Sequence, residues 1–92
     1  MASKRIHVFY SGQVHGVGFR YTARNIAVGL GLNGWVKNLV DDRVECVCEG
    51  EEKNLKKFLD NIKGEFLGRY ISDVDVRWEA ETREFKSFSI SF

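Results

Sequence analysis

The chain has 92 residues, 43% hydrophobic and 29% charged, with a net charge of +1 and no proline. That length supports one domain around one hydrophobic core, so residues 1–92 are expected to fold as a single unit. The near-neutral balance excludes a general field for nucleic acid or anionic membrane, so any anion site must be local. No apolar run approaches bilayer length, and polar residues 1–5 lead into no signal-peptide core, which makes the cytoplasm the expected compartment.

Ile6, Val8 and Tyr10 alternate with His7, Phe9 and Ser11, predicting a first strand that ends near Gly12. A glycine-rich turn follows, from Gly12 to Gly18. Phe19, Thr22, Ala23, Ile26, Ala27 and Leu30 then recur at helical spacing, and Gly31 is placed to stop that helix. Trp35 to Leu39 reads as a second strand. Val40 to Arg43 has hairpin length and leads to a third, where Val44, Cys46 and Cys48 alternate with Glu45, Val47 and Glu49. Leu55, Phe58, Leu59 and Ile62 form a second helical stripe, expected to close at Gly64. After an irregular piece from Glu65 to Ser72, Val74, Val76 and Trp78 mark a fourth strand. Phe88, Ile90 and Phe92, alternating with serines, mark a short last strand at an edge.

The order is β-α-β-β-α-β with an extra strand. Each helix has one apolar face and each strand one apolar side, so two helices on one face of an antiparallel sheet bury a single core. The expected fold is therefore α+β, a ferredoxin-like βαββαβ sandwich with a short extra C-terminal edge strand. Cys46 and Cys48 would share a strand face about 7 Å apart, too far for an unstrained disulfide, and they read as small core residues. Trp35 and Trp78 read as packing residues.

The chemistry concentrates in Gly12 to Arg20, a strand passing through glycines into a helix. Glycines let successive backbone N–H groups converge, and the first helical turn adds unpaired donors and the positive end of its dipole. Such a concavity suits phosphate, and Arg20 at the junction adds a guanidinium able to fork onto two oxygens. The segment is not a Walker loop, since Phe19-Arg20 stands where Lys-Ser/Thr would. Nor is it a dinucleotide fingerprint, since position 21 is Tyr21, and no cysteine nucleophile lies inside it. From the glycines alone, an anion-binding loop and a purely geometric turn fit equally well.

Gly12-Gln13-Val14-His15-Gly16-Val17-Gly18-Phe19-Arg20 resembles the first signature of acylphosphatases, G-x-V-x-G-V-x-F-R. Gly34-Trp35-Val36-Lys37-Asn38 resembles the second. The similarity runs from about Arg5 to Phe92. It implies hydrolysis of acyl phosphates to a carboxylate and inorganic phosphate. The resemblance makes Val14, His15, Gly16, Val17, Gly18, Phe19 and Arg20 the phosphate-binding loop. Asn38 orients the attacking water, and no cofactor or metal is implied. His15, where the family often has glutamine, is expected on the solvent side of the loop, and Lys37 is expected to add only weak positive field. The expected partners are a small acyl phosphate and its phosphate product, with no nucleic acid or membrane, for a monomer. Two departures stand out: Asp41-Asp42 replaces the family's Asp-Gly, and Gly64-Glu65 replaces Gly-Pro.

Three other functions fit the sequence less well. A weakly catalytic domain of the kind found in carbamoyl-transfer maturation proteins is disfavoured, because Arg20 and Asn38 are both kept. An RNA-recognition module would carry exposed aromatics on the third strand, where this chain has Val44-Glu-Cys-Val-Cys-Glu49. A metal carrier would place C-x-x-C in the first loop, and none is there.

Overall fold

The computed structural model describes residues 2–66 and 70–92. Its elements in chain order are β1 (Ser3–Gly12), α1 (Phe19–Gly29), β2 (Asn33–Asn38), β3 (Val44–Glu51), α2 (Glu52–Phe66), β4 (Ile71–Ala80) and β5 (Phe88–Ser91). The strands form one sheet in the order β4-β1-β3-β2-β5. Alternation decides which side of the sheet is dry. Ile6, Val8 and Tyr10 of β1 and Val44, Cys46 and Cys48 of β3 project to one face, at most 1% exposed. Both helices cover that face. Ala23 and Ala27 bring α1 close to the sheet, while α2 buries Leu55, Phe58, Ile62 and Phe66.

Helix α1 ends where the sequence suggested. Gly31 adopts φ 69°, and the Leu32 and Gly31 N–H groups donate to the carbonyls of Ala27 and Val28, closing the last turn with a left-handed residue. Helix α2 does not stop at Gly64. It continues to Phe66, whose ring packs 4.6 Å from that of Phe19, and this burial outweighs the roughly 1 kcal/mol that an interior glycine costs. Of the segment 65–72 expected to be irregular, residues 65 and 66 are thus helical and Ile71 and Ser72 belong to β4, while 67–69 lie outside the described residues. The turn after β2 places Asp42 at φ 74°, the strained position that a glycine would fill more easily. Asp41 steadies that turn by accepting from the Arg43 N–H at 3.2 Å and Nε at 2.9 Å.

The sheet is mixed rather than antiparallel. β5 pairs with β2 in parallel, with Gly34 opposite Phe88 and Lys37 opposite Ser91. The cause is the connection after β4. That strand lies at one edge and β5 at the other, and residues 81–87 must cross the sheet at one end. Seven extended residues reach about 23 Å, enough for roughly four strand spacings and not for a return along the strands as well. β5 must then run back in the direction of β2.

Glu49 holds this crossing segment. Its carboxylate accepts from the Thr82 N–H at 2.7 Å, the Thr82 hydroxyl at 2.9 Å and the Arg83 N–H at 3.0 Å, with Arg5 at 3.5 Å. Burial pushes the Glu49 carboxyl up, but the bonds from Thr82, Arg83 and Arg5 outweigh it and hold the group below the ordinary glutamate value. Cys46 and Cys48 are free thiols in the core with Sγ atoms 3.5 Å apart, and burial together with Cys46 keeps the Cys48 thiol protonated.

Because the folded-state value of Glu49 is depressed, its contribution is complete above the unfolded-state glutamate value. It is lost as pH falls through the lower folded one. Glu49→Gln is expected to cost about 2 kcal/mol at neutral pH and to flatten the acid limb of stability. Urea denaturation across pH measures both, and an unchanged acid limb would contradict the assignment.

Candidate active site

Three elements converge at one end of the sheet: the end of β1, the end of β2 and the start of α1. Between them lies a cavity of about 260 Å³ lined by Val14, Gly16, Gly18, Phe19, Arg20, Tyr21 and Asn38. The loop that forms it is anchored in the core on both sides, since Val14 and Phe19 are 1% and 2% exposed. Gly16 and Gly18 take φ 75° and 76°, in the left-handed region that side chains resist, and this turns the intervening backbone inward.

The start of α1 is electrostatically unfinished. Gly18 is its N-cap and supplies no side-chain acceptor, and no acidic residue occupies the first turn. Most helices place Ser, Thr, Asp or Asn at that point and favour carboxylates in the first turn, as α2 does with Glu52. Here the first turn carries Arg20, a cation at the positive end of the dipole. Among the described residues its guanidinium has no carboxylate partner; it lies 5.1 Å from the centre of the Phe92 ring. Asn38 adds a free acceptor, because its Oδ1 is buried with no hydrogen-bond partner among the described residues. A cavity with uncapped N–H donors, a guanidinium without a carboxylate partner among the described residues and a buried amide acceptor has the groups to hold a small oxyanion together with a proton donor such as water.

The residues expected to form the site are divided by the structure. Arg20, Asn38, Gly16, Gly18 and Phe19 line the cavity, as does Val14, while the side chains of His15 and Val17 do not. Val17 packs partly against the core. His15 is half-buried rather than on the solvent side, and its Nε2–H donates to the Arg43 carbonyl at 2.9 Å, tying the loop to the turn beyond Asn38. The bond joins positions 28 residues apart, so no local pattern in the sequence marks it. Lys37 and Trp35 border a separate shallow depression with Ser89 and Ser91. Trp78 is 42% exposed and only partly a packing residue. Tyr21 also lines the cavity, and Phe92 stands beside Arg20 without lining it. Tyr21 directly follows Arg20 in sequence, but nothing local marks Phe92, which arrives through the parallel pairing of β5.

A second depression, of about 380 Å³, lies between α2 and β4 and is lined by Tyr10, Lys56, Leu59, Asp60, Lys63, Val74 and Val76. Its polar groups are the Tyr10 hydroxyl, buried without a partner among the described residues, and Lys56, Asp60 and Lys63, with Lys56 paired to Glu52 at 3.0 Å.

The sequence matches the acylphosphatase family over residues 6–90. It is 47% identical over 90 residues to an acylphosphatase of Roseiflexus sp. (strain RS-1), covering 98% of this chain and 97% of that one. The fold superposes on the crystal structure of acylphosphatase from Bacillus subtilis with a TM-score of 0.90 at 34% identity, covering 97% of this chain and 99% of that chain. It also resembles a part of T. kodakarensis HypF, with a TM-score of 0.81 and 30% identity, covering 97% of this chain but 12% of the larger one. A match across nearly the whole length, to relatives of the same length, leaves one assignment: the chain belongs to the acylphosphatase family.

Proposed function

We propose that this enzyme hydrolyses acyl phosphates by direct attack of water on phosphorus, with Arg20 and the loop N–H groups holding the phosphoryl group and Asn38 placing the water. The observation that carries the reading is the coincidence of an uncapped helix start and an unpaired arginine in one cavity. A phosphoryl group satisfies both at once.

The substrate already contains a good leaving group, a carboxylate, so the protein has little acid catalysis to supply. What remains is charge stabilisation and alignment. The loop N–H groups and the Arg20 fork stabilise charge on the three non-bridging oxygens, more strongly as the phosphorus becomes five-coordinate. The buried Asn38 Oδ1 accepts a hydrogen from the water and fixes one lone pair toward phosphorus. The new O–P bond forms as the bond from phosphorus to the acyl oxygen breaks, and the pair from that bond leaves on the carboxylate. The remaining water proton passes to a phosphoryl oxygen, because an amide is too weak a base to keep it. Among the residues lining the cavity there is no Cys, Ser, His, Asp or Glu, and the scheme has no phosphoenzyme. Near-complete coverage of its acylphosphatase relatives, together with Arg20 and Asn38 in one cavity, favours the enzyme reading.

Benzoyl phosphate, followed by loss of its anhydride absorbance without added metal, tests the activity; a rate equal to buffer would overturn the proposal. Asn38→Ala is expected to lower kcat by about 100-fold with KM changed little, the signature of lost water placement. A loss in KM alone would assign Asn38 to substrate binding instead. Phosphate at a hundred times its Kd should stabilise the parent protein by about 2.7 kcal/mol, seen as a rise in Tm. Arg20→Ala is expected to abolish most of that rise, and an equal rise in both proteins would place the anion elsewhere.

A further inference from the structure

The depression between α2 and β4 has its cause in the strand order. α2 lies over β3 and β1, whereas β4 is an edge strand. Val74 and Val76, level with Tyr10 and Val8 on the dry side, are therefore only half buried. On α2, Lys56, Leu59, Asp60 and Lys63 recur at i, i+3, i+4 and i+7 and turn one helical stripe toward that gap. The space of about 380 Å³ shares no lining residue with the catalytic cavity, and it falls within the range of small-molecule sites, roughly 300–1,000 Å³. We propose that this depression binds a free α-amino acid with a hydroxylated aromatic side chain, the ring hydroxyl meeting Tyr10 and the zwitterionic head meeting Lys63 and Asp60.

Three observations carry it. First, Tyr10 lines the depression and is 1% exposed, yet its hydroxyl has no hydrogen-bond partner among the described residues. Burial, with Cys46 and Cys48 nearby, pushes the phenol well above its ordinary value, so the hydroxyl keeps its proton and is able to donate it. A buried polar group without a partner is an exception that a ligand's polar atom resolves. Second, the rim offers one free charge of each sign. Lys56 is paired with Glu52 at 3.0 Å, but neither Lys63 nor Asp60 has an ion-pair or hydrogen-bond partner among the described residues. Opposite charges three positions apart on one helix suit a head that carries both, and each repels a ligand that carries only its own sign. Third, Leu59, Val74 and Val76 give the depression half-buried apolar walls against which a ring can lie.

Burial sorts these groups into levels. The Tyr10 hydroxyl is at the buried end, Leu59, Val74 and Val76 are half-buried, and Asp60 and Lys63 are exposed. A hydroxylated aromatic amino acid carries matching groups in the same order along its length: a phenol, a ring, then an ammonium and a carboxylate. Solvent does not reach the Tyr10 hydroxyl, so a polar atom arrives there only at the tip of an apolar body that fills the space beside it. The ring displaces water from Leu59 and the two valines, and its hydroxyl oxygen accepts from Tyr10. At the rim the Lys63 ammonium donates to the carboxylate of the ligand, and the Asp60 carboxylate accepts from its ammonium.

Titration of the full chain with L-tyrosine, followed by ¹H–¹⁵N amide shifts, locates and weighs the site. Saturable shifts are expected at residues 56–63 and 74–76 and not at Gly16 or Gly18 of the catalytic loop. The Kd expected for a ligand of this size is on the order of 1 mM. L-Phenylalanine, which lacks the hydroxyl, is expected to bind about three- to tenfold more weakly, the range of one hydrogen bond. In Tyr10→Phe, with circular dichroism to confirm the fold, the two amino acids are expected to bind equally. Tyramine, without the carboxylate, and 4-hydroxyphenylacetate, without the ammonium, are each expected to bind the parent more weakly than tyrosine. Equal binding of tyrosine and phenylalanine by the parent would overturn the proposal without recourse to any variant, and so would a preference that survives in Tyr10→Phe. Shifts confined to the catalytic loop, no saturable shifts, or a single-charge analogue binding as tightly as tyrosine would overturn it as well.

Discussion

Helix α1 begins with positive charge placed on positive charge. Its first-turn amides have no cap, its dipole points its positive end at the cavity, and the side chain added there is an arginine. A cation in that position costs about 0.3–1 kcal/mol relative to a neutral residue, and unsatisfied amides add to the cost. Local rules of helix design are broken at this one terminus and kept at α2, where Glu52 occupies the first turn. Such a lapse is expected where the missing partner is a ligand. The loop around it is correspondingly fixed, with Val14 and Phe19 locked in the core and His15 bonded to the Arg43 carbonyl, so its backbone donors are held in place.

The sheet decides what stands beside that terminus. β2 runs toward the same end at which β1 delivers the loop, and so Asn38 is carried to the cavity wall. The crossing segment 81–87 has just enough length to traverse the sheet, which forces β5 into the direction of β2 and brings Phe92 to the same end. Glu49, on the far side of the sheet from the helices, ties down that segment. A carboxylate far from the cavity thereby helps determine where an aromatic ring lies beside Arg20.

How much of this was legible in the sequence varied by feature. Periodicity placed both helices and all five strands, because each has one dry side and one wet side with the repeat proper to its type. The glycine loop and Arg20 were readable as a possible anion site, yet only the two motifs together separated that from a plain turn. The length of α2 was misjudged because Gly64 is a sound stop signal locally, and only the distant Phe19 ring supplies the burial that carries the helix to Phe66. The direction of β5 and the place of Phe92 beside Arg20 were invisible for the same reason. They depend on strand order and the reach of a connection, which no local pattern encodes. The orphan Asn38 Oδ1 belongs to that class too, since burial without a partner is a property of the assembled site.

In the proposed mechanism the phosphorus at the start of α1 is the atom attacked, and water attacks it directly. Hydrolysis of benzoyl phosphate in ¹⁸O-labelled water, with mass analysis of both products after a single turnover, tests it most directly. Attack at phosphorus places the label in inorganic phosphate and leaves benzoate unlabelled. Label in the benzoate carboxylate would show attack at the carbonyl carbon and contradict the account.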